Sequence, residues 1–428
     1  MTREPAGPRR GPPALEFFDR TVLPTAEPGG EPILREVDPA CAVPLFEVYR
    51  TVLLFAGHPP GESWPLTEQL RAREEEVLRS ALEPALRDPL AVILGQIADP
   101  ARTDPGKLAW ACLHVTDWAL AHDAPDTALV FAEAAALCAP ASGRWALVAG
   151  RTYKTHGRMR DAVLWLRRAR IVSRRQHDWE SLVLSLNSLG MVFWQQGAIP
   201  KAWTTLRQAR RVASRHKLRT LEGEALHNLF VLAVTTEQME IAEEYARGAA
   251  ERFLPHHHRL PALAYDLAYY WLSRGYPRRA LPVFQRLVPH FPQPAQRIQV
   301  LSATARAAGA ADDRVAFEGA WQDAFTLLAS SPVRTTLAAA LLDLGLGAAH
   351  LGEWQRAEDA FCEAIQASRE YGQADIQVRA EDYLSAARSR RNADNIIRPA
   401  ALAVSQQPAE QLAQRFVVAL TELARKQS

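Results

Sequence analysis

Lysine is scarce in this chain. Five occur, Lys107, Lys154, Lys201, Lys217 and Lys426, among 50 basic residues, so arginine carries almost all the positive charge. Cysteine is scarcer still: Cys41, Cys112, Cys138 and Cys362 lie far apart in the sequence and form no CxxC pair. That spacing argues against a disulfide framework or a zinc site and fits a reducing, cytoplasmic setting. No run of apolar residues approaches the roughly 18 that a membrane span requires, so none is expected. Met1 to Arg10 is followed by prolines, not by a leucine run, so no secretory signal is expected either. Strand-favouring runs of Val, Ile and Thr are also missing. Alanine and arginine crowd the sequence instead, which favours helix.

The motifs that would announce an enzyme are absent as well. There is no GxxxxGK[ST] phosphate loop, no GxGxxG after a strand, no GxSxG elbow and no HExxH. No catalytic residue, cofactor or metal is therefore expected. His256-His257-His258 is the one metal-like cluster, and adjacent side chains cannot all converge on one ion, so it reads as a loop of solvated imidazoles. Glu74-Glu75-Glu76 reads as a solvated helix face.

What remains is a chain of 428 residues, 48% hydrophobic and 23% charged. That balance is globular, and the length suits either two or three domains or one long repeat array. Residues 1–37 hold seven prolines and Gly29-Gly30, and should be largely extended or disordered. Helices are expected to start at Asp38-Pro39, Asp88-Pro89 and Asp104-Pro105, where aspartate caps the first turn and proline fits the first helical position. Residues 38–102 should form a helical cap of three helices. A repeat array is expected over 103–391, a linker over 392–408, and an amphipathic helix over 409–428 with Leu412, Phe416, Leu420 and Leu423 on one side. That last helix is expected to cover the exposed end of the array, or else to fill a groove as a tethered ligand.

The repeat itself is a Leu-Gly or Ala-Gly pair, an aromatic three residues on, and then alanine, a large apolar residue and alanine. Ala149-Gly150, Tyr153, Gly157, Ala162, Leu166 and Ala169 follow it. So do Leu189-Gly190, Phe193, Gly197, Ala202, Leu206 and Ala209, and Leu344-Gly345, Gly352, Ala357, Phe361 and Ala364. The alanines that anchor successive copies are 128, 162, 202, 242, 280, about 316, and 357, with gaps of 34 to 41. Small residues belong where two helices of a pair cross closely, and large ones fill the space beside them. Over 103–390 this resembles the tetratricopeptide repeat (TPR) family in its longer variety of about 40 residues. The resemblance implies an all-α, right-handed superhelical solenoid of stacked antiparallel helix pairs. It further implies a protein–protein interaction module, as in some bacterial transcriptional activators, peptide-sensing regulators and spindle-orientation adaptors.

Two surfaces follow. In that family the first helix of each pair lines the concave groove, which here implies Arg151, Lys154, Asn187, Met191, Trp194, Gln195, His227, Asn228, Tyr265, Asp266 and Tyr269. Asparagine can donate and accept at once, and Trp and Tyr offer apolar area with a polar handle, so these types suit a bound peptide. The second surface is electrostatic. From Arg144 to Arg219 seventeen basic residues face three acidic ones, a net +14 in a chain of +2. Leu166-Arg167-Arg168-Ala169-Arg170 recurs as Leu206-Arg207-Gln208-Ala209-Arg210, so a basic stripe of Arg167, Arg168, Arg170, Arg174, Arg207, Arg210 and Arg211 is expected on the exposed second helices. Its ordinary reading is a solvated face, with cations also favoured at helix C-termini. As a binding surface it would take an acidic protein before nucleic acid, since no nucleic-acid motif or helix-turn-helix is present. The sequence thus reads as a non-enzymatic adaptor for a peptide or protein. The alternative is a regulatory sensor that binds a signal peptide or small ligand and controls a partner.

Overall fold

Aspartate and proline open the helices by a mechanism visible in atomic detail. The Asp38 carboxylate accepts from the Ala40 amide at 2.9 Å, and Asp104 accepts from Gly106 at 2.8 Å and Lys107 at 3.2 Å. Each satisfies amides that the first helical turn cannot. Asp88-Pro89 behaves differently: the helix there already starts at Pro84, and Pro89 lies inside it. The earlier Glu83-Pro84 step supplies the start, and Pro89 forfeits one hydrogen bond near the helix beginning.

The computed structural model describes residues 31–58, 64–255, 257–330, 336–389 and 406–427. These residues form twenty α-helices and no strand. The chain divides into two compact units, residues 1–228 and 229–428. The first holds α1 (Glu31–Glu36), α2 (Pro39–Gly57), α3 (Thr67–Arg79), α4 (Pro84–Ala98), α5 (Pro105–Ala121) and α6 (Pro125–Cys138). It continues with α7 (Gly143–Thr155), α8 (Met159–Arg175), α9 (Trp179–Gln195), α10 (Ile199–Arg215) and the start of α11 (Arg219–Thr235). Within it α5 packs on α6, α7 on α8 and α9 on α10, and the first helices α7 and α9 also meet.

The crossings explain the sequence pattern. A methyl group on Gly150 would sit 2.7 Å from Leu166 Cγ, and one on Gly190 would sit 2.5 Å from Leu206 Cδ2. Glycine in the first helix therefore admits a large side chain from the second, and no larger residue leaves room. Ala162 and Ala202, in the second helices of these pairs, are fully buried, and so is Ala128 in α6.

The segment expected to be extended up to residue 37 contains α1; residues 1–30 lie outside the described residues. The last residue of α1 has a structural task. The Glu36 carboxylate accepts from the Asp126 amide at 3.0 Å, and from the Thr127 amide and hydroxyl at 2.7 and 2.8 Å, capping α6 from outside. An anion is favoured there by the helix dipole as well. Among the described residues α2 is the one helix long and apolar enough to cross a membrane. It carries Glu47 and Arg50, and it buries Ala42, Leu45, Val48, Tyr49 and Val52.

The second unit holds α12 (Met239–Phe253), α13 (Leu260–Ser273), α14 (Pro277–Leu287), α15 (Pro294–Ala311) and α16 (Arg314–Ser330). After them come α17 (Leu337–His350), α18 (Trp354–Glu370), α19 (Ala374–Ser389) and α20 (Gln406–Gln427). Pairs α13–α14, α15–α16 and α17–α18 repeat the arrangement, with α13, α15, α17 and α19 meeting in succession. Gly345 faces Phe361, whose Cε1 lies 2.5 Å from where a methyl would stand. Ala242, Ala280 and Ala357 are fully buried, but Ala316 is not; Phe317 takes the core place one residue later. The glycine of that copy serves another contact, since a methyl on Gly309 would collide with the carbonyl of Gly347 in α17.

The expected linker falls largely on residues 390–405, outside the described residues, and α20 starts at Gln406. It does not cover the end of the array. It lies against α13 and α14, burying Leu412, Phe416 and Leu420, while the His290 imidazole donates to the Leu420 carbonyl at 2.9 Å. At the other end of the unit, α19 turns Arg379, Glu381, Asp382 and Arg388 outward, with Val378 also exposed.

Valine at Gly190 or Gly345 is expected to cost about 1–3 kcal/mol by overpacking. Alanine at Gly319 in α16, where a methyl meets nothing within 4 Å, should instead add about 0.5–1 kcal/mol. Urea denaturation of the three variants checks this, and equal effects at all three sites would mean that the crossings are not tight.

Candidate functional site

The side chains expected in the groove behave differently in the two units. In the first, Arg151 is exposed and its Nε donates to the Ser188 hydroxyl at 3.3 Å, while Lys154 is half-buried. Asn187 is 4% exposed, and neither its carbonyl oxygen nor its amide nitrogen has a hydrogen-bond partner. Met191 and Trp194, four and seven residues on, share its face of α9 and are half-buried; Gln195 beside them is exposed. His227 is buried and Asn228 half-buried in α11. A buried amide can make four hydrogen bonds, and each one left unmade costs free energy. Such a group usually has a water, an ion or a ligand to meet.

In the second unit the expectation needs correcting. Tyr269 does not present its hydroxyl to a ligand. The hydroxyl donates to the Asp343 carboxylate at 3.1 Å and accepts from Arg306 Nη1 at 3.0 Å, while Arg306 pairs with Asp343 at 2.8 Å. Three successive first helices, α13, α15 and α17, are tied together in this way. Burial, and after it the Asp343 charge, pushes the Tyr269 pKa up to about 12. Burial alone would lower the Arg306 pKa, but Tyr269 and Asp343 outweigh it, and the guanidinium is held charged. Tyr265 packs at 5.7 Å from Phe284 and 6.4 Å from Phe291, with its own pKa raised by burial and then by Asp343. Asp266 stays half-exposed. A buried arginine requires a counter-charge, and the tyrosine closes the set.

On the second helices of the first unit, Arg167, Arg174, Arg207 and Arg211 are exposed, and Arg170 and Arg210 half-buried. Arg168 departs from that face. It is 4% exposed, its guanidinium lies 5.3 Å over the Trp165 ring, and it feels the charge of Glu133. Arg207 similarly covers Trp203, at 4.8 Å. Arg170, Arg174 and Arg211 border a cleft of about 1110 Å³ between the C-terminal ends of α8 and α10, floored by the start of α9. Ile171, Leu182 and Val212 make the floor apolar, and Trp179 stacks on His216 at 4.0 Å and 14°. Arg170, Arg174, Arg175, Arg211 and Arg215 form the rim, together with His177. Burial, and then Arg167 and Arg174, lower the Arg170 pKa. The sequence disclosed these arginines but not the floor, whose residues come from three helices and share no local pattern.

One smaller feature adds to the sequence reading and another alters it. Cys112 and Cys138, distant along the chain, meet between α5 and α6, where the hydrogen bond to Cys138, and then burial, raise the Cys112 thiol pKa. Both cysteines are free and buried, which leaves them unreactive. His256 lies outside the described residues, but His257 is not a solvated imidazole. It stacks on Phe253 at 4.2 Å and 4°, and burial, followed by His258 and Arg259, brings its pKa down to about 4.

No family model and no curated protein matches the sequence. Solved structures do. The apo form of RapI is similar at a TM-score of 0.51 and 12% identity, over 78% of this chain and 98% of that one. A STAND signal transduction ATPase with a tetratricopeptide repeat sensor, from Pyrococcus horikoshii, is similar at 0.52 and 12% identity, over 90% of this chain and 62% of that one. By fold, this is a TPR-like repeat protein. The TPR arrangement places Gly150, Gly190 and Gly345 in first helices against Leu166, Leu206 and Phe361 in second helices. It also accounts for the Tyr269–Arg306–Asp343 set as a link between first helices of neighbouring TPR-like pairs.

Asp343→Ala is expected to cost about 3–5 kcal/mol, because it leaves Arg306 buried and unpaired. Adding Arg306→Met to that variant should restore most of the loss. Urea unfolding followed by circular dichroism reads both values, and a small cost for the single variant would show that Arg306 reaches water.

Proposed function

We propose that this TPR-like protein is a non-catalytic scaffold that captures a peptide or protein segment on the first-helix face of its first unit. Its arginine-bearing second helices would serve an acidic partner. The observation that carries the first part is the row of partly accessible side chains Met191, Trp194 and Asn228 on α9 and α11, with Asn187 buried on the same face of α9 and without a hydrogen-bond partner among the described residues. An extended segment offers backbone carbonyl and amide groups in the spacing that one asparagine can meet, and the indole adds apolar contact. Arg151, Lys154, Gln195, His227 and Asn228 supply the further polar positions of that face.

A regulatory sensor is the second reading. The repeats of the Pyrococcus protein are described as a sensor. Here α20 lies against α13 and α14 through one apolar stripe, with residues 390–405 preceding it, so ligand-dependent release is a workable output.

Two variants test the scaffold reading on an immobilised array of peptides about a dozen residues long. Asn187→Leu should raise stability by about 1–3 kcal/mol, because it removes a buried amide without a partner among the described residues. Trp194→Ala with Asn228→Ala should abolish capture with helicity unchanged. Capture retained by the double variant would move the site elsewhere; an Asn187→Leu protein markedly less stable than the parent would mean that water already satisfies the amide.

A further inference from the structure

We infer that the cleft between α8 and α10 is a docking site for an acidic amphipathic helix of a partner protein. This deepens the protein-binding reading above without depending on the first-helix face.

Charge comes first. The rim carries five arginines and the lining contains no acid. Arg170, Arg174, Arg211 and Arg215 make no ion pair among the described residues. The nearby Asp178 carboxylate is engaged, accepting from the Ser181 amide at 3.0 Å at the start of α9. Cations at a helix C-terminus offset the helix dipole, but the dipole amounts to about half a charge. Arg174 and Arg215 lie in the last turns of α8 and α10, and Arg170 and Arg211 one turn earlier. That is several times what the dipoles can use, and the excess awaits anions from outside the chain.

The floor then selects among anions. Ile171, Leu182 and Val212 would remain bare under a phosphate backbone, and Trp179 already spends one ring face on His216, leaving little for a base to stack upon. An amphipathic helix fits both layers, laying an apolar stripe on the floor while its carboxylates meet the arginine forks. A helix about 10 Å across fills the 1110 Å³ over about nine residues, or two and a half turns.

The chain supplies its own precedent. In the second unit α20 docks on α13 and α14 with Leu412, Phe416 and Leu420, and with Glu410 3.9 Å from the buried Arg279. That helix cannot be the occupant of the cleft, because Arg415, Arg425 and Lys426 outnumber Glu410 and Glu422. The acidic counterpart is therefore assigned to another protein.

The test uses the full chain and a fluorescein-labelled helical peptide of about 18 residues, with leucine and alanine on one face and glutamate on the other. Polarisation should show micromolar binding that weakens about tenfold or more between about 50 and 300 mM salt. A lysine-for-glutamate peptide should not bind. Arg174→Glu with Arg211→Glu, both exposed and so safe for folding, should weaken binding at least about tenfold; Val212→Gln should weaken it by removing floor contact. The Trp194→Ala, Asn228→Ala variant should bind this peptide normally. Unchanged affinity in the arginine variant overturns the inference, and if the first-helix variant alone loses the peptide, the scaffold reading survives while the cleft does not. Tighter binding of a DNA duplex or of anionic vesicles through the same arginines would also overturn it, in favour of those ligands.

Discussion

Close approach of paired helices is the constraint on which the rest of this protein depends. Gly150, Gly190 and Gly345 each leave a hollow that a Leu or Phe from the following helix fills, and those large side chains are fully buried. Once the crossings are fixed, first helices fall beside first helices, as α7 and α9 do, and second helices present their outer sides. Every surface considered above inherits its address from this geometry. A helix pair alone would leave one side uncovered, so stacking is a thermodynamic requirement and not an ornament.

The two faces of the first unit then differ in chemistry. The first-helix side sets Arg151 and Lys154 beside Met191 and Trp194 and buries a polar group without a partner among the described residues, Asn187. The second-helix side is crowded with like charge over an apolar floor. Unmet hydrogen bonds and unmet cations are both costs that folding leaves standing. Each is relieved by a complementary surface, although the complements are chemically distinct.

Periodic features were legible in the sequence. Six of the anchoring alanines, 128, 162, 202, 242, 280 and 357, are fully buried, because the repeat length and the helix period act together on every copy. The seventh slipped by one residue, to Phe317, where Gly309 answers to α17 and not to its own pair. Such a contact between copies leaves no mark within a single repeat. Arg168 was misplaced for a related reason, since its attraction to Trp165 and Glu133 outweighs the outward habit of arginine. The cleft floor and the Tyr269 set were illegible because each gathers residues from three helices. Docking of α20 away from the array end could not be read either: its apolar stripe declares a need for a partner but not which one.

The link from Tyr269 to Asp343 spans a whole intervening helix pair. In an ideal linear array each module senses only its immediate neighbours, and the ends fray independently of the middle. Here α13 and α17 share one guanidinium through Arg306, so loosening either exposes a charge that destabilises the other. The segment from 260 to 350 should consequently behave as a single cooperative block, stiffer than a chain of nearest neighbours and resistant to partial opening.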